Sequence, residues 1–103
     1  MRYSVIIPTL NGEKQIVSLL ETLQTQSLPP SQILVVDSQS DDATVERAQS
    51  VAGVRVEMIR RQDFDHGGTR DWAIRRCDSD VVVFMTQDAM PTDGDCMKNL
   101  LVE

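Results

Sequence analysis

The hydrophobic positions fall into short apolar runs that alternate with amphipathic stretches along the 103 residues. Tyr3 to Ile7 reads as a strand closed by Pro8, which has no N–H to give to a sheet. Ile16, Leu19, Leu20 and Leu23 recur at helical spacing, so Glu13 to Ser27 is predicted as an amphipathic helix, stopped by Pro29-Pro30. Ile33 to Val36 is a second strand. Asp37 to Asp41 is a polar loop in which Asp41 or Asp42 can cap the next helix. Val45, Ala48, Val51 and Ala52 form that helix's apolar face, and Gly53 ends it. Val54 to Ile59 alternates as a third strand, and Arg60 to His66 is a polar connection. Gly67-Gly68-Thr69 opens a third helix reaching Cys77. The last strand runs from Asp80 or Val81 to Met85, and its unbroken apolar run predicts burial on both faces. Thr92 with Asp95 resembles a capping box ahead of a final helix carrying Met97, Leu100 and Leu101.

Strand and helix alternate throughout, without repeats or low-complexity tracts. This order predicts a mainly parallel sheet of about four strands with right-handed crossovers, a Rossmann-like three-layer α/β/α half-domain. In open sheets of this kind ligands bind beyond the carboxyl ends of the strands, where every βα loop lies on the same edge.

Four polar clusters stand at those ends. Thr9, Asn11 and Gly12 follow the first strand, and Asp37, Ser38, Ser40 and Asp42 the second. His66, Gly67, Gly68, Thr69 and Arg70 follow the third, and Gln87 and Asp88 the fourth. Each also has a plain structural reading. Asp37 can simply end a strand, the glycine pair can be a turn, and a single histidine or a first-turn arginine is commonly structural or solvated. Their convergence on one edge is what predicts a site, with Asp88 placed to handle a metal or a ligand phosphate. Asp63-Phe64-Asp65, Asp78-Ser79-Asp80 and Asp93-Gly94-Asp95 fall in turns or at caps rather than at strand ends. Glycine-rich mononucleotide loops are absent from the sequence.

Composition narrows the partners. With 16 acidic and 10 basic residues the formal net charge is −6, which argues against nucleic acid. A phosphorylated small molecule remains compatible, since a divalent cation can supply positive charge. The 41% hydrophobic content suits a soluble globular unit, and no run approaches the ~20 apolar residues of a membrane span. Arg2 and Tyr3 lead straight into a strand, so no signal peptide is expected. Cys77 and Cys96 show no metal-type spacing and are expected to be reduced, which points weakly to a cytoplasmic setting.

Together these motifs resemble a known family. Ser4-Val5-Ile6-Ile7-Pro8-Thr9-Leu10-Asn11 is similar to the opening strand and nucleotide loop of the family 2 glycosyltransferases, which have the GT-A fold. Val35 to Thr44 resembles their second loop, usually closer to VVDDGSTDGT. Gly68-Thr69-Arg70-Asp71 resembles their A-R-N helix start, and Phe84-Met85-Thr86-Gln87-Asp88 their F-L-D-x-D strand end. Phe64-Asp65-His66-Gly67-Gly68-Thr69-Arg70 and Thr86-Gln87-Asp88-Ala89 look most like bacterial rhamnosyltransferases, which read F-N-H-G-G-T-R and F-L-T-Q-D-A.

The resemblance implies inverting transfer of L-rhamnose from dTDP-L-rhamnose, or of sugar from a UDP-sugar, to a saccharide or lipid-linked acceptor. It implies work in the cytoplasm or at the cytoplasmic face of the membrane. Pro8, Thr9 and Asn11 would line the nucleotide pocket, with Thr86 and Gln87 among the donor contacts. Asp37 would accept from the pyrimidine ring N–H, and Arg70 would hold the base or diphosphate. His66, Gly67 and Gly68 would approach the diphosphate or sugar. Asp88 would bind Mg²⁺ or Mn²⁺. Thr86 replaces the first Asp of many relatives, and Ser38 and Gln39 replace the usual Asp and Gly, leaving nucleotide preference open. Residues 1–103 correspond to the donor half, so the general base and acceptor contacts are expected from an absent half, and this stretch alone is expected to be inactive. Two other readings stay open. One is a non-catalytic nucleotide-binding or dimerisation module forming a homo-oligomer. The other is a receiver-type phosphoacceptor using Asp37, against which speak Thr9, Asn11 and the lysine-free stretch between Lys14 and Lys98.

Overall fold

Side chains alternate across a strand, so an unbroken apolar strand must be covered on both faces. The computed structural model meets this condition in its two central strands; it describes residues 2–63, 66–91 and 94–102. The strands are β1 (Tyr3–Thr9), β2 (Gln32–Asp37), β3 (Val54–Met58) and β4 (Val81–Phe84). The helices are α1 (Ile16–Gln24), α2 (Thr44–Gln49), α3 (His66–Ile74) and α4 (Cys96–Val102), with a 3-10 turn over Arg61–Asp63. The sheet order is β3-β2-β1-β4, and every pairing is parallel.

Tyr3, Val5 and Ile7 of β1 and Ile33 and Val35 of β2 face one side. They pack on Ile16, Leu19, Leu20 and Leu23 of α1, Ala48 of α2 and Met97 of α4. Ile6, Leu34 and Val36 face the other side, against Ala73 and Trp72 of α3. Beyond α3, the Arg76 guanidinium lies 3.8 Å from the Trp72 ring centroid, with Nε 2.7 Å from the Glu57 carboxylate of β3. These contacts make three layers.

Local details depart from expectation in four places. β1 runs through Pro8 to Thr9 instead of stopping at Ile7. Arg2 and Ile6 bond towards β4, whereas Tyr3 and Thr9 bond towards β2 and its flanks. Pro8 therefore turns its missing N–H to the β4 side, where pairing has ended at Ile6–Phe84. Nothing is lost there, and Pro8 still pairs in register with Val36. β4 is half-buried along its length rather than covered on both faces, because it is an edge strand of the described sheet.

α1 begins three residues later than predicted. The N–H groups of Gln15 and Ile16 both donate to the Gly12 carbonyl, which makes Glu13–Gln15 a turn. Hydrophobic spacing located the buried face of α1 but not its ends. The fourth difference is at α2, whose N-cap is Ala43, without a side-chain cap bond. Asp42 nonetheless acts one residue earlier, accepting from the Thr44 N–H at 3.0 Å and from the Thr44 hydroxyl. That hydroxyl bond is the main cause holding its carboxyl below the usual carboxylate range. Gly53 ends the following turn at φ 81°, a backbone state glycine adopts without steric cost. The suggested Thr92 cap lies outside the described residues.

Cys77 and Cys96 are free thiols, each partly buried. Among the described residues no helix is long and apolar enough to cross a membrane.

Tyr3 tests the lower end of the core. It is 1% exposed, its hydroxyl donates to the Leu28 carbonyl at 2.5 Å, and burial pushes its pKa up to about 12. A raised phenol pKa gives stability that is complete below the unfolded value near 10 and lost as pH rises towards 12. Tyr3→Phe should cost about 1 kcal/mol at neutral pH. Urea denaturation of both proteins at intervals from pH 9 to 12 should show this difference shrinking as the wild type loses its tyrosine contribution.

Candidate functional site

From β1 the chain passes to β2 and β3 on one side, then returns to place β4 on the other. The direction of winding thus reverses between β1 and β4, and the loops diverge to leave a crevice. A cavity of about 750 Å³ opens there. Its floor is apolar, formed by Ile6, Val36, Ala73 and Phe84. Polar groups come from four strand ends: Thr9 closing β1, Ser38 after β2, Arg61 after β3, and Thr86, Gln87 and Asp88 after β4. Thr69 joins them from α3, and Pro8 and Leu10 close the β1 side.

The convergence predicted from the loop positions is therefore present, but the groups divide into two kinds. Asp37 is fully buried and is not on the cavity wall. Its Oδ1 accepts from the hydroxyls of Thr9 at 2.7 Å and Ser40 at 2.5 Å, and its Oδ2 accepts from the Ser40 N–H at 2.8 Å. Asn11, although exposed, is also bonded within the protein. It sits at φ 53°, its N–H donates to the Ser40 hydroxyl at 2.9 Å, and its amide oxygen accepts from the Asp41 N–H at 2.8 Å. These bonds stitch the loop after β1 to the loop after β2.

Gln87 forms the third stitch. Its Oε1 accepts from the Leu10 N–H at 2.9 Å, and its Nε2 donates to the Leu10 carbonyl at 3.0 Å. This two-point clasp ties the end of β4 to the end of β1. Gly12 makes room for it, since a Cβ there would stand 2.6 Å from Gln87 Oε1.

Thr9 and Gln87 stand on the cavity wall as well as in these bonds, and share it with Thr69, Ser38, Arg61, Thr86 and Asp88. Ser38 belongs to the second predicted cluster, whereas the sequence marks Arg61 only as part of a polar connection. The signal for it was a basic pair, Arg60-Arg61, directly after a strand on the ligand-binding edge. Among the described residues Arg61 is the cation on the wall and exposed Asp88 the carboxylate. No group of three or more His, Cys, Asp or Glu side chains comes together among them that could hold a metal unaided. Asp88 with the neighbouring Thr86 hydroxyl is a hard oxygen set, which suits Mg²⁺ or Mn²⁺ completed by water and ligand oxygens. Gly68 lines a smaller adjoining cavity of about 490 Å³ with Trp72 and Met58. His66, Gly67 and Arg70 open α3, and their side chains lie outside the described part of the structure.

Two substitutions test the stitching. Asp37→Asn must turn an NH₂ towards donors that now meet a carboxylate oxygen, and should cost about 2–3 kcal/mol in urea denaturation. Gly12→Ala should push the Gln87 amide off Leu10 and cost about 0.5–1 kcal/mol, since the group displaced is the end of a flexible side chain. Much less should be lost when it is added to Gln87→Ala, because the colliding group is then gone; a double-mutant cycle measures that coupling.

The description "Glycosyl transferase family 2" belongs to the family model that matches residues 4–101. The O-antigen chain rhamnosyltransferase RfbN of Salmonella typhimurium is 38% identical over 102 residues, which cover 98% of this chain and 32% of that protein. WbaN of Salmonella anatum, described in the same words, is 34% identical over 101 residues, covering 96% and 32%. This chain therefore spans about a third of the length of these relatives. Among solved structures, Staphylococcus aureus TarS 1-349 in complex with UDP-GlcNAc superposes with a TM-score of 0.77 at 30% identity, covering 97% of this chain and 30% of that one. The mannosyltransferase PcManGT of Pyrobaculum calidifontis, solved with GDP-Man and Mn²⁺, has a TM-score of 0.76 at 23% identity, covering 99% and 32%. The likeness to PcManGT is one of fold. With its α/β sheet, its switch-point crevice and a family match over nearly its whole length, this chain belongs to the family 2 glycosyltransferases and has the corresponding part of the GT-A fold.

Proposed function

We propose that residues 1–103 form the donor-binding part of a glycosyltransferase that takes a nucleotide-diphospho-sugar, with dTDP-L-rhamnose as the preferred donor. The transfer is inverting, to a surface polysaccharide or lipid-linked acceptor. The observation that carries this reading is the switch-point cavity, with an apolar floor between a polar β2 side and a carboxylate on the β4 side. About 750 Å³ is ample for a nucleoside diphosphate. Similarity to two O-antigen rhamnosyltransferases supports rhamnose, and the TarS complex with UDP-GlcNAc supports a nucleotide sugar.

In this reading the flat base lies over Val36 and Ala73, with Ser38 and Arg61 as its polar neighbours. Pro8 and Thr9 close the β1 side; Arg70 would hold the base or the diphosphate, and His66 with Gly67 and Gly68 would approach the diphosphate or sugar. Asp88 holds Mg²⁺ or Mn²⁺, with Thr86 beside it. A cation bound there would supply Lewis-acid stabilisation of charge on the leaving diphosphate. Asp37, Asn11 and Gln87 have their side-chain oxygens engaged by the protein and hold the loops, Gln87 doing so from the cavity wall itself. A base N–H could reach the remaining acceptor site of Asp37 Oδ2 only if the loop covering this buried carboxylate moved aside.

With Asp88 committed to the metal, no other carboxylate stands on the described cavity wall to take a proton from an acceptor hydroxyl. This chain alone then binds its donor without completing transfer. The receiver-type alternative is disfavoured by Asp37 itself. A phosphoacceptor must be open to attack, and this carboxylate is buried and bonded through both oxygens.

Calorimetric titration with dTDP and UDP, each with and without Mn²⁺, tests the proposal. The wild type should bind with metal dependence and favour dTDP. Asp88→Ala should weaken metal-dependent binding by about tenfold or more. Failure of the wild type to bind either nucleotide would overturn the reading.

A further inference from the structure

We propose that Arg61 sets the base preference of this site by pinning the loop after β2 so that Ser38 meets the base; this rests on the donor-binding reading above. Arg61 is anchored to that loop by its backbone N–H, which donates to Gln39 Oε1 at 3.4 Å, and by its side chain at three points. Its Nε donates to the Ser38 carbonyl at 3.2 Å, and its Nη2 donates to the Gln39 carbonyl at 3.2 Å and to Asp41 Oδ2 at 2.8 Å. Gln39 between them stands at φ 56°, a left-handed state that costs a non-glycine residue about 1 kcal/mol or more. Such a residue relaxes unless its surroundings hold it, and the planar guanidinium fork is the group that spans both sides of it.

Ser38 is the residue that benefits. Its N–H donates to the Thr9 carbonyl at 3.0 Å and its carbonyl accepts from Arg61, so its backbone is held from both sides. The residue is only 6% exposed and lies on the cavity wall, yet its hydroxyl bonds to none of the described residues. Opening onto the cavity and unpaired within the described protein, that hydroxyl is available to whatever binds there. Because a hydroxyl both donates and accepts, it can pair with a ring N–H or a ring carbonyl, but only if it is held at fixed distance.

Position across the sheet assigns this corner to the base rather than to the phosphates. Ser38 follows β2 and Asp88 follows β4, with β1 between them. At about 4.8 Å per strand spacing the two loops start about 10 Å apart. A donor whose diphosphate lies at Asp88 reaches Ser38 and Arg61 with its base. The consequence is specific: Arg61 governs which base is accepted, and Asp88 governs metal dependence.

The test measures affinities for dTDP and GDP in Mn²⁺ on the wild type, Arg61→Ala, Arg61→Lys, Ser38→Ala and the Arg61→Ala/Ser38→Ala pair. Arg61→Ala should weaken dTDP about tenfold and narrow the dTDP-to-GDP ratio, while residual binding keeps its Mn²⁺ dependence. Ser38→Ala should do the same, and the pair should lose little more than either alone. Arg61→Lys, with the charge but not the fork, should fail to restore the ratio. If Arg61→Ala does not fold, Asp41→Asn, which neutralises the exposed end of the fork, should narrow the ratio in the same direction. An unchanged ratio in Arg61→Ala, or full restoration by Lys, overturns the role given to Arg61 while leaving the donor-binding reading intact. A wild type that binds no nucleotide overturns both.

Discussion

A carboxyl group taken wholly out of water needs a donor for each oxygen, and Asp37 obtains them from Thr9 at the end of β1 and from Ser40 in the loop after β2. That requirement draws Thr9 and Ser40 onto one residue at the end of β2. Ser40 in turn takes the Asn11 N–H, and the Asn11 amide takes Asp41. Two loops that share no strand are thereby made into one frame. The left-handed backbone of Asn11 and Gln39, unfavourable in isolation, is held by these surrounding bonds.

The frame separates polar residues into those that hold and those that face outwards. Asp37, Asn11 and Gln87 are consumed by backbone and hydroxyl partners of the protein. Ser38, Thr86 and Asp88 stand on a wall above an apolar floor, and Arg61, on the same wall, is itself bonded to the loop after β2. A ligand crevice needs this division, because a loop whose polar groups were all free would lack a fixed shape, and one whose groups were all paired would have nothing to offer. The Gln87 clasp extends it to the far side, fixing the end of β4 through Leu10 even though β4 is an edge strand with half-buried side chains.

The parts of the fold legible in the residues are those that depend on local periodicity. The α1 face of Ile16, Leu19, Leu20 and Leu23, the apolar runs of β1 and β2, and the break at Gly53 all follow from spacing and backbone preference. Ends were read less well. Whether Pro8 stops a strand depends on what lies on its N–H side, and whether Glu13 is helical depends on which residue takes the Gly12 carbonyl. The expectation that Val81 to Met85 is covered on both faces failed for a similar reason, since apolar composition does not say whether a strand lies at the centre or the edge.

The site divides along the same line. The order of strands and helices was enough to place four polar loops on one edge, because parallel connection leaves no other arrangement for them. The family motifs were legible as well, being contiguous runs whose residue types survive without reference to partners. Which of those polar residues would face the ligand was decided only by the tertiary structure. Asp37 and Ser38 are adjacent in the chain, yet one is locked beneath the loop and the other stands on the cavity wall. Arg61 lies 22 residues from Gln39 and meets it only after β3 has paired with β2. A sequence carries the inventory of donors and acceptors, but their pairing depends on distances that exist only once the sheet has formed.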